Sequence, residues 1–263
     1  MIIGKIAKSF LKKRNGKVKY QNFFFNLYLA SLKGMNIGEG GNLFTSGEIH
    51  AMNYVKEHVG DSKTVIFDVG ANVGNYAKDL TNVFKNYNIH CFEPAKQTFS
   101  RLSENIKDSN IVLNNFGLSD KETVQTLYYD KEGSGLASLY NRQLDYFGID
   151  FSKAETVSLS TLDVYCEKNH IEKIDFLKMD VEGNELNVLK GAESMLKNKM
   201  IGAIQIEFGG CNLDSRTYIR DFWNILHDDY KMFRIVKDGL YEVMSYQEQL
   251  EIFTCSNYFF ARK

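Results

Sequence analysis

Residues 64–75, with the sequence TVIFDVGANVGN, constrain the fold of this chain more than any other stretch. They begin with an apolar run, interrupted by Asp68, that predicts a buried strand. The run breaks at Gly70 and Gly74, and an amphipathic helical pattern follows. In α/β proteins, such a strand and glycine turn hold a nucleotide-like ligand at the carboxyl edge of a parallel sheet, because glycine lets the backbone approach the ligand and the next helix presents free N–H groups.

The rest of the chain alternates between strand and helix patterns. The predicted strands are residues 64–69, 88–92, 111–116, 174–179, 201–208, 232–236 and 257–261, and the predicted crossover helices are residues 75–85, 95–107, 184–198 and 215–228. Before the first strand, Thr45 and Glu48 fit a capping box for a helix that leads into it. This alternation predicts an α/β fold with a doubly wound, mostly parallel sheet of seven strands.

The alternation stops between residues 120 and 160. Two further strands, at 124–129 and 155–159, flank a glycine loop and a stretch without clear period, and Thr161 can cap a helix over 162–169. The pattern indicates an inserted hairpin and flap, the kind of insertion that commonly carries substrate specificity. We therefore predict a basic helical extension over 1–45 and one catalytic domain over 46–263.

Charge is distributed unevenly along the chain. Residues 1–38 carry eight basic side chains and no acid, so the remainder has a net charge of −9. Residues 1–12 are amphipathic at helical spacing, and residues 20–34 predict a second helix. The basic arm is compatible with peripheral membrane contact through residues 1–19, or with packing on the domain or on a second subunit in a homo-oligomer. The acidic body disfavours nucleic acid as a partner.

Several other classes of protein are disfavoured. No apolar run is long enough to span a bilayer, and the N-terminus lacks the pattern of a secretory signal. Four widely spaced cysteines form no CxxC pair, which favours a reducing cytoplasm. The five histidines show no metal-ligand spacing, and no metal is predicted.

The glycine turn and the second strand indicate which ligand is bound. The turn is Gly-Ala-Asn-Val-Gly, without the G-x-G-x-x-G of dinucleotide enzymes or the Gly-Lys-Ser/Thr of a phosphate loop. Glu93 follows Asp68 by 25 residues, which places it at the tip of the neighbouring strand, where it can accept hydrogen bonds from both hydroxyls of a ribose. An acidic site without a phosphate-binding motif favours S-adenosylmethionine, which has no phosphate, over NAD or ATP.

The motifs FDVGANVGNY, CFEP, NFGLSD, LSTLD, IDFLKMDVEGNE and IQIEFGG occur in that order over about residues 48–261. Together they resemble the FkbM family of S-adenosylmethionine-dependent methyltransferases. The resemblance implies a class I, Rossmann-like methyltransferase fold with an antiparallel last strand. It also implies O-methylation of sugars or other polyol-type metabolites, with S-adenosylhomocysteine as product.

The resemblance also implies roles for residues at the motif positions. Asp68, Gly70, Ala71, Asn72 and Gly74 would line the methionine and ribose side of the cofactor. Glu93 would bind the ribose hydroxyls, and Pro94 would shape the adenine edge. Adenine would be bordered by Gly117, Leu118 and Ser119, and Asp180 would lie near the methionine amino group and the transferred methyl.

A hydroxyl acceptor needs a base within hydrogen-bond reach. The candidates at the carboxyl edge are Asp180, Glu182 and Glu207; we favour Glu182 or Asp180 as the base, with Glu207 as a supporting or acceptor-binding carboxylate. Two alternatives stay open. A nicotinamide-dependent oxidoreductase is disfavoured by the missing G-x-G-x-x-G. A non-catalytic cofactor-binding scaffold that acts through the basic arm is disfavoured by the three carboxylates.

Overall fold

A computed structural model describes residues 11–40 and 42–263. The strands are β1 (Thr64–Val69), β2 (Tyr87–Phe92), β3 (Ile111–Asn114), β4 (Gly117–Leu118), β5 (Thr123–Tyr129), β6 (Lys153–Ser160), β7 (Ile174–Met179), β8 (Ile201–Phe208), β9 (Tyr230–Val236), β10 (Gly239–Val243) and β11 (Ser256–Arg262). The helices are α1 (Gln21–Gly34), α2 (Leu43–Ser46), α3 (Ile49–Val59), α4 (Asn75–Val83), α5 (Lys96–Asn105), α6 (Leu162–Lys168), α7 (Glu185–Lys190), α8 (Glu193–Lys197), α9 (Cys211–Ser215) and α10 (Ile219–Leu226).

Within the described residues, the main sheet has eight strands in the order β10-β9-β11-β8-β7-β1-β2-β3. Within this sheet, the neighbouring pairs β8-β7, β7-β1, β1-β2 and β2-β3 are parallel, whereas β11 is antiparallel to both β8 and β9. The class I fold and its antiparallel last strand are thus confirmed. The eighth strand, β10, forms an edge hairpin with β9. None of its five residues is buried, and their sequence, GLYEV, contains no apolar run from which a strand could be predicted.

The sheet is covered on both faces. All six residues of β7 are buried, as expected for a central parallel strand that packs helices on both sides. Consecutive residues point to opposite faces, so Phe67 contributes to one apolar cluster and Ile66 to the other. The register sets Asp68 opposite Lys178 of β7. The carboxyl ends of β1, β2, β7 and β8 therefore meet at one edge of the sheet.

Two predicted helices differ in extent. The helix predicted over 184–198 is two helices, α7 and α8, which are separated at Gly191. There the backbone passes so close to Ser119 that a Cβ on Gly191 would lie 2.0 Å from the Ser119 carbonyl oxygen. The helix predicted over 215–228 begins at Ile219, after the short helix α9.

The capping box predicted at Thr45 and Glu48 is wrong. Thr45 lies inside α2, and α3 has no side-chain cap at Glu48. A hydroxyl oxygen does cap α6, where Thr161 Oγ1 accepts a hydrogen bond from the Val164 N–H at 3.1 Å, as predicted.

The region after β3 forms a second sheet in the order β4-β6-β5. Strands β5 and β6 are antiparallel, and their register sets Thr123 opposite Leu159. The loop between them folds back on β5, where Tyr128 and Ser138 exchange two backbone hydrogen bonds. Leu127 and Leu159 pack with Ala95, which follows β2. The small sheet is thereby fixed beside the carboxyl edge of the main sheet.

At the N-terminal end, the helix predicted over residues 1–12 lies almost wholly outside the described residues. Helix α1 follows the prediction for 20–34, with Leu32 buried and Phe25 and Tyr28 exposed. Among the helices in the described part of the chain, none has the length and apolar character needed to cross a membrane.

Candidate active site

The turn after β1 packs directly against the end of β7. Gly70 has a φ of 83°, and a Cβ there would lie 1.8 Å from the carbonyl oxygen of Asp180. The N–H groups of Gly70 and Ala71 both donate to the Phe92 carbonyl oxygen at 3.0 Å. Because only glycine combines this φ with this close approach, the turn locks the ends of β1, β2 and β7 together.

The next residues of the turn take different positions. The Asn72 N–H donates to Glu93 Oε2 at 3.0 Å. Gly74, with a φ of 89°, packs against α5, where a Cβ would lie 2.8 Å from Leu102 Cδ1. Asn72 is therefore held beside Glu93, whereas Gly74 allows close packing of α4 on α5.

Glu93 is held by the backbone at the tip of β2. Its Oε1 accepts from the Ala95 N–H at 2.9 Å, and its Oε2 accepts from Asn72. Burial raises the pKa of Glu93 to about 7, against the lowering effect of these two hydrogen bonds. Each carboxylate oxygen keeps a lone pair for a further donor, so the group is preorganised to accept from two neighbouring hydroxyls.

A first cleft, of about 670 Å³ including space open to solvent, lies in front of Glu93. Its lining includes Phe92, Pro94, Gly117, Leu118, Leu127 and Leu159. The cleft is therefore mostly apolar along its walls and polar at the end where Glu93 lies. Among the described residues, none of the side chains that line it is basic. Ser119, also predicted for this wall, is buried outside the lining, and its N–H donates to the Ser160 carbonyl.

A second cleft, of about 910 Å³ including space open to solvent, adjoins the first. The two clefts share the residues Gly70, Asn72, Gly135 and Asp180. The second cleft is also lined by Ala71 and by polar side chains from α4, β7, β8 and β11, namely Tyr76, Asp79, Lys178, Glu207 and Asn257. The turn after β1 and the end of β7 thus separate a cleft with mostly apolar walls from one lined mainly by polar and charged side chains.

Lys178 is the cation of the second cleft, and the sequence prediction missed it. Its buried Nζ lies 3.4 Å from Asp68 Oδ1 and 3.4 Å from Asp180 Oδ2, over the ring of Tyr76. Asp68 is fully buried and lines neither cleft; burial raises its pKa, whereas Lys178 lowers it. A lysine inside the apolar run of β7 was the available signal, since a buried charge requires a partner.

Glu182 lies on the side of the first cleft. It has a φ of 50°, and its Oε2 accepts from Arg142 Nη1 at 2.5 Å. Ser138 Oγ also donates to the Glu182 carbonyl at 2.7 Å. Burial raises the pKa of Glu182, as does Asp180, while Arg142 opposes them. Glu182 therefore ties the loop between β5 and β6 to the end of β7, an anchor that the sequence did not reveal.

Glu207 lies at the end of β8 and lines the second cleft. Its Oε1 accepts from Cys255 Sγ at 3.1 Å. The negative charge of Asp180 and burial raise the pKa of Glu207 to about 8. Asp180 itself is half-buried and lines both clefts. Asp180 and Glu207 are thus brought together in the second cleft, while Glu182 lines only the first.

A hydrogen-bonded chain supports the wall of the second cleft. Tyr76 Oη donates to Gln205 Oε1 at 3.1 Å, and Gln205 Nε2 donates to Glu48 Oε1 at 2.7 Å. Ser46 Oγ donates to the other oxygen of Glu48 at 2.6 Å. Burial raises the pKa of Glu48, against the hydrogen bond from Ser46. Glu48, singled out by sequence as a capping residue, is instead part of this wall.

No group of three or more His, Cys, Asp or Glu side chains in residues 11–40 and 42–263 is arranged to hold a metal ion. Glu182 and Glu207 line different clefts.

The chain is similar in sequence to curated proteins that are named as methyltransferases. The chain is 29% identical over 147 residues to "Hexuronic acid methyltransferase AglP" from Haloferax volcanii, an alignment that covers 55% of this chain and 56% of the relative. It is 27% identical over 149 residues to "2-O-methyltransferase NoeI" from Sinorhizobium fredii, covering 52% and 61%. The similarity thus spans little more than half the length of these relatives.

Among solved structures, a putative rRNA-methylase from Clostridium thermocellum superposes with a TM-score of 0.44 and 9% identity, covering 83% of this chain and 98% of that one. The profile of the Methyltransferase FkbM domain matches residues 68–234, a span that includes the turn after β1, Glu93, Asp180 and Glu207. Because this match covers more than half of the chain, the protein belongs to the FkbM methyltransferase domain family.

Proposed function

We propose that the protein is an S-adenosylmethionine-dependent O-methyltransferase that acts on a hydroxyl of a small molecule, a sugar or a glycan precursor. The observation that carries the proposal is Glu93, preorganised by two backbone N–H groups at one end of a cleft with apolar walls and no basic side chain in its described lining. This arrangement suits a nucleoside without phosphates, because a pyrophosphate calls for basic or N–H-rich surroundings. Membership of the family supports the same ligand.

In this proposal, the first cleft holds the adenosine part of the cofactor. Glu93 accepts from the two ribose hydroxyls, and Pro94, Gly117 and Leu118 lie along the base. Asp180, which lines both clefts, faces the positively charged end of the cofactor. Asp68 acts indirectly, by balancing the charge of Lys178 beneath the turn.

When bound, S-adenosylmethionine would supply an electrophilic methyl group on a sulfonium. The chain's contribution is then largely orientation, since both ligands are held on fixed strand ends at the boundary between the clefts. We assign the role of general base to Glu207. Cys255 occupies Oε1, so the other carboxylate oxygen is available to take the proton of the acceptor hydroxyl as the new bond forms.

This assignment of the base differs from the preference for Glu182 or Asp180 that the sequence suggested. The Glu182 carboxylate is engaged by Arg142, and Asp180 contacts Lys178. A group whose pKa lies near the operating pH is also the more effective base, and the pKa of Glu207 is raised to about 8.

Thermal unfolding with added ligand tests the proposal. We expect S-adenosylhomocysteine to stabilise the protein by about 2.7 kcal/mol at 100 times its dissociation constant, and NAD and ATP to leave the melting temperature unchanged. Stabilisation by NAD alone would reject the methyltransferase in favour of the oxidoreductase. Transfer of labelled methyl groups to a panel of acceptor sugars then separates an enzyme from a non-catalytic scaffold.

A further inference from the structure

The second cleft has a strongly acidic lining for a site next to a methyl donor. Four carboxylates line it, from Glu48, Asp79, Asp180 and Glu207, against a single cation, Lys178, among the described residues. It shares Gly70 and Asp180 with the first cleft. On the function proposed above, it is therefore the place where the methyl acceptor binds.

The one cation is not free to pair with a ligand. Lys178 is 5% exposed, and its Nζ contacts Asp68 and Asp180 while it faces the ring of Tyr76, 4.9 Å from its centre. A third anion would have to displace one of these contacts from a buried position. Among the described residues, the lining therefore offers no free cation to an anionic ligand, and its carboxyl groups disfavour a further negative charge.

The same conclusion follows from the titration of the wall. The charge of Asp180 is the largest cause that raises the pKa of Glu207 to about 8. A cleft that already disfavours a second carboxylate of its own would disfavour a carboxylate on the ligand for the same reason.

Hydrogen-bond chemistry agrees with the charge. Ionised carboxylates only accept hydrogen bonds, and the Tyr76 hydroxyl already donates to Gln205. A wall rich in acceptors is matched by a ligand rich in donors, which means hydroxyl or ammonium groups. Ionised carboxylates and phosphates bring acceptors alone.

From this wall we infer that the methyl acceptor is a neutral or amino-bearing polyhydroxyl compound, such as a neutral or amino sugar, and not a uronate or a sugar phosphate. The inference rests on the proposed function and adds the class of substrate. It sets this chain apart from a relative whose name specifies a hexuronic acid.

The test compares acceptors that differ only in charge. Methyl glycosides of several hexoses are prepared in three matched forms, with a hydroxyl, an amine or a carboxylate at the sixth carbon, and labelled methyl transfer is measured for each. We expect kcat/KM for the uronate to be at least about tenfold below that for the neutral form, and the amino form to equal or exceed the neutral one. Preference for the uronate, or failure of every neutral and amino glycoside to react, would overturn the inference.

Asp79→Asn, which removes one charge from the wall, sharpens the test. The ratio of neutral to uronate kcat/KM should fall about threefold or more. Asp61→Asn removes the same charge from an exposed loop before β1, at the opposite edge of the sheet, and should leave the ratio unchanged. An unchanged ratio in Asp79→Asn would place the discrimination elsewhere and overturn the inference.

Calorimetry with S-adenosylhomocysteine distinguishes a failure of the proposed function from a failure of the inferred class of acceptor. Without binding, the proposed function itself fails. Binding combined with preferential methylation of the uronate rejects only the class of acceptor.

Discussion

The first and second clefts meet at Gly70 and Asp180, yet their remaining walls are built in different ways. The first is shaped mainly by turns and apolar side chains, and its one preorganised carboxylate, Glu93, is held by backbone N–H groups. The second is built from charged and polar side chains that belong to elements far apart in the sequence, between Glu48 and Asn257.

This difference suggests how one scaffold can keep a cofactor and change its acceptor. A site made by backbone turns depends on a few glycines and one acid, whereas a site made by side chains can be altered residue by residue. If the comparison is right, substitutions in the first cleft should change affinity for the cofactor, and substitutions in the second should change turnover.

The largest effect is expected for Glu207→Gln. Removal of the proposed base should lower kcat by about 10²–10⁴-fold, while the dissociation constant for S-adenosylhomocysteine changes little. Labelled methyl transfer and calorimetry measure the two quantities. Glu57→Gln, the same change at an exposed position of α3, serves as the control. If Glu207→Gln lost cofactor binding together with turnover, the two clefts would not have the separate roles proposed here.

Glu93→Ala should have the opposite signature. Hydrogen bonds to a charged group contribute about 1.5–3 kcal/mol, so the dissociation constant for S-adenosylhomocysteine should rise by about 10–150-fold. At saturating cofactor, kcat should stay within a few-fold of the wild-type value, because Glu207 and Asp180 remain in place. If Glu93→Ala kept its affinity for S-adenosylhomocysteine and only kcat fell, the assignment of the first cleft to the cofactor would be wrong.

The pH dependence of turnover gives a smaller, graded effect. A base must be deprotonated to accept the hydroxyl proton, and the pKa of Glu207 is raised to about 8. Below that value, kcat/KM should fall about tenfold per pH unit, and above it the profile should level off. The Glu207→Gln variant should lose this slope and keep a low, flat profile. A wild-type profile that is already flat from pH 6 to 8 would argue against Glu207 as the base.

What could be predicted from the sequence follows the same division between the clefts. The turn at Gly70 and the carboxylate of Glu93 stand at strand ends, where local pattern indicates both backbone geometry and position in the sheet. Gly117 and Leu118 were found through resemblance to the family, and both line the first cleft. The α/β alternation likewise gave the main sheet except for its exposed edge strand.

The second cleft could be predicted only in part, because its walls depend on long-range packing. Glu48 lines it and is held there by Gln205, and Lys178 is held by Asp68 from the neighbouring strand. No local pattern specifies such pairs. The anchor between Arg142 and Glu182 was missed for the same reason, since residues 138–152 carry no clear period and their partner lies 40 residues away.

The smallest expected effect is on the pH dependence of the free energy of unfolding, which should differ between the carboxyl groups of the two clefts. Burial raises the pKa of Glu93 to about 7, and the charge of Asp180 together with burial raises that of Glu207 to about 8, both from 4.5. A carboxyl group with a raised pKa binds its proton more tightly in the folded state, so the free energy of unfolding falls as pH rises through that window.

The free energy of unfolding of the wild-type protein, compared with that of Glu93→Gln, should therefore fall as the pH rises to about 7. Compared with that of Glu207→Gln, it should fall until the pH reaches about 8. Neither slope should exceed about 1.4 kcal/mol per pH unit. Urea unfolding without cofactor at pH 5 to 9 measures both differences. Between pH 7 and 8 only the comparison with Glu207→Gln should still change, because there the carboxyl group of the second cleft, but not that of the first, still releases its proton. A difference that rises with pH for either variant would show that the carboxylate is stabilised, not strained, by its cleft.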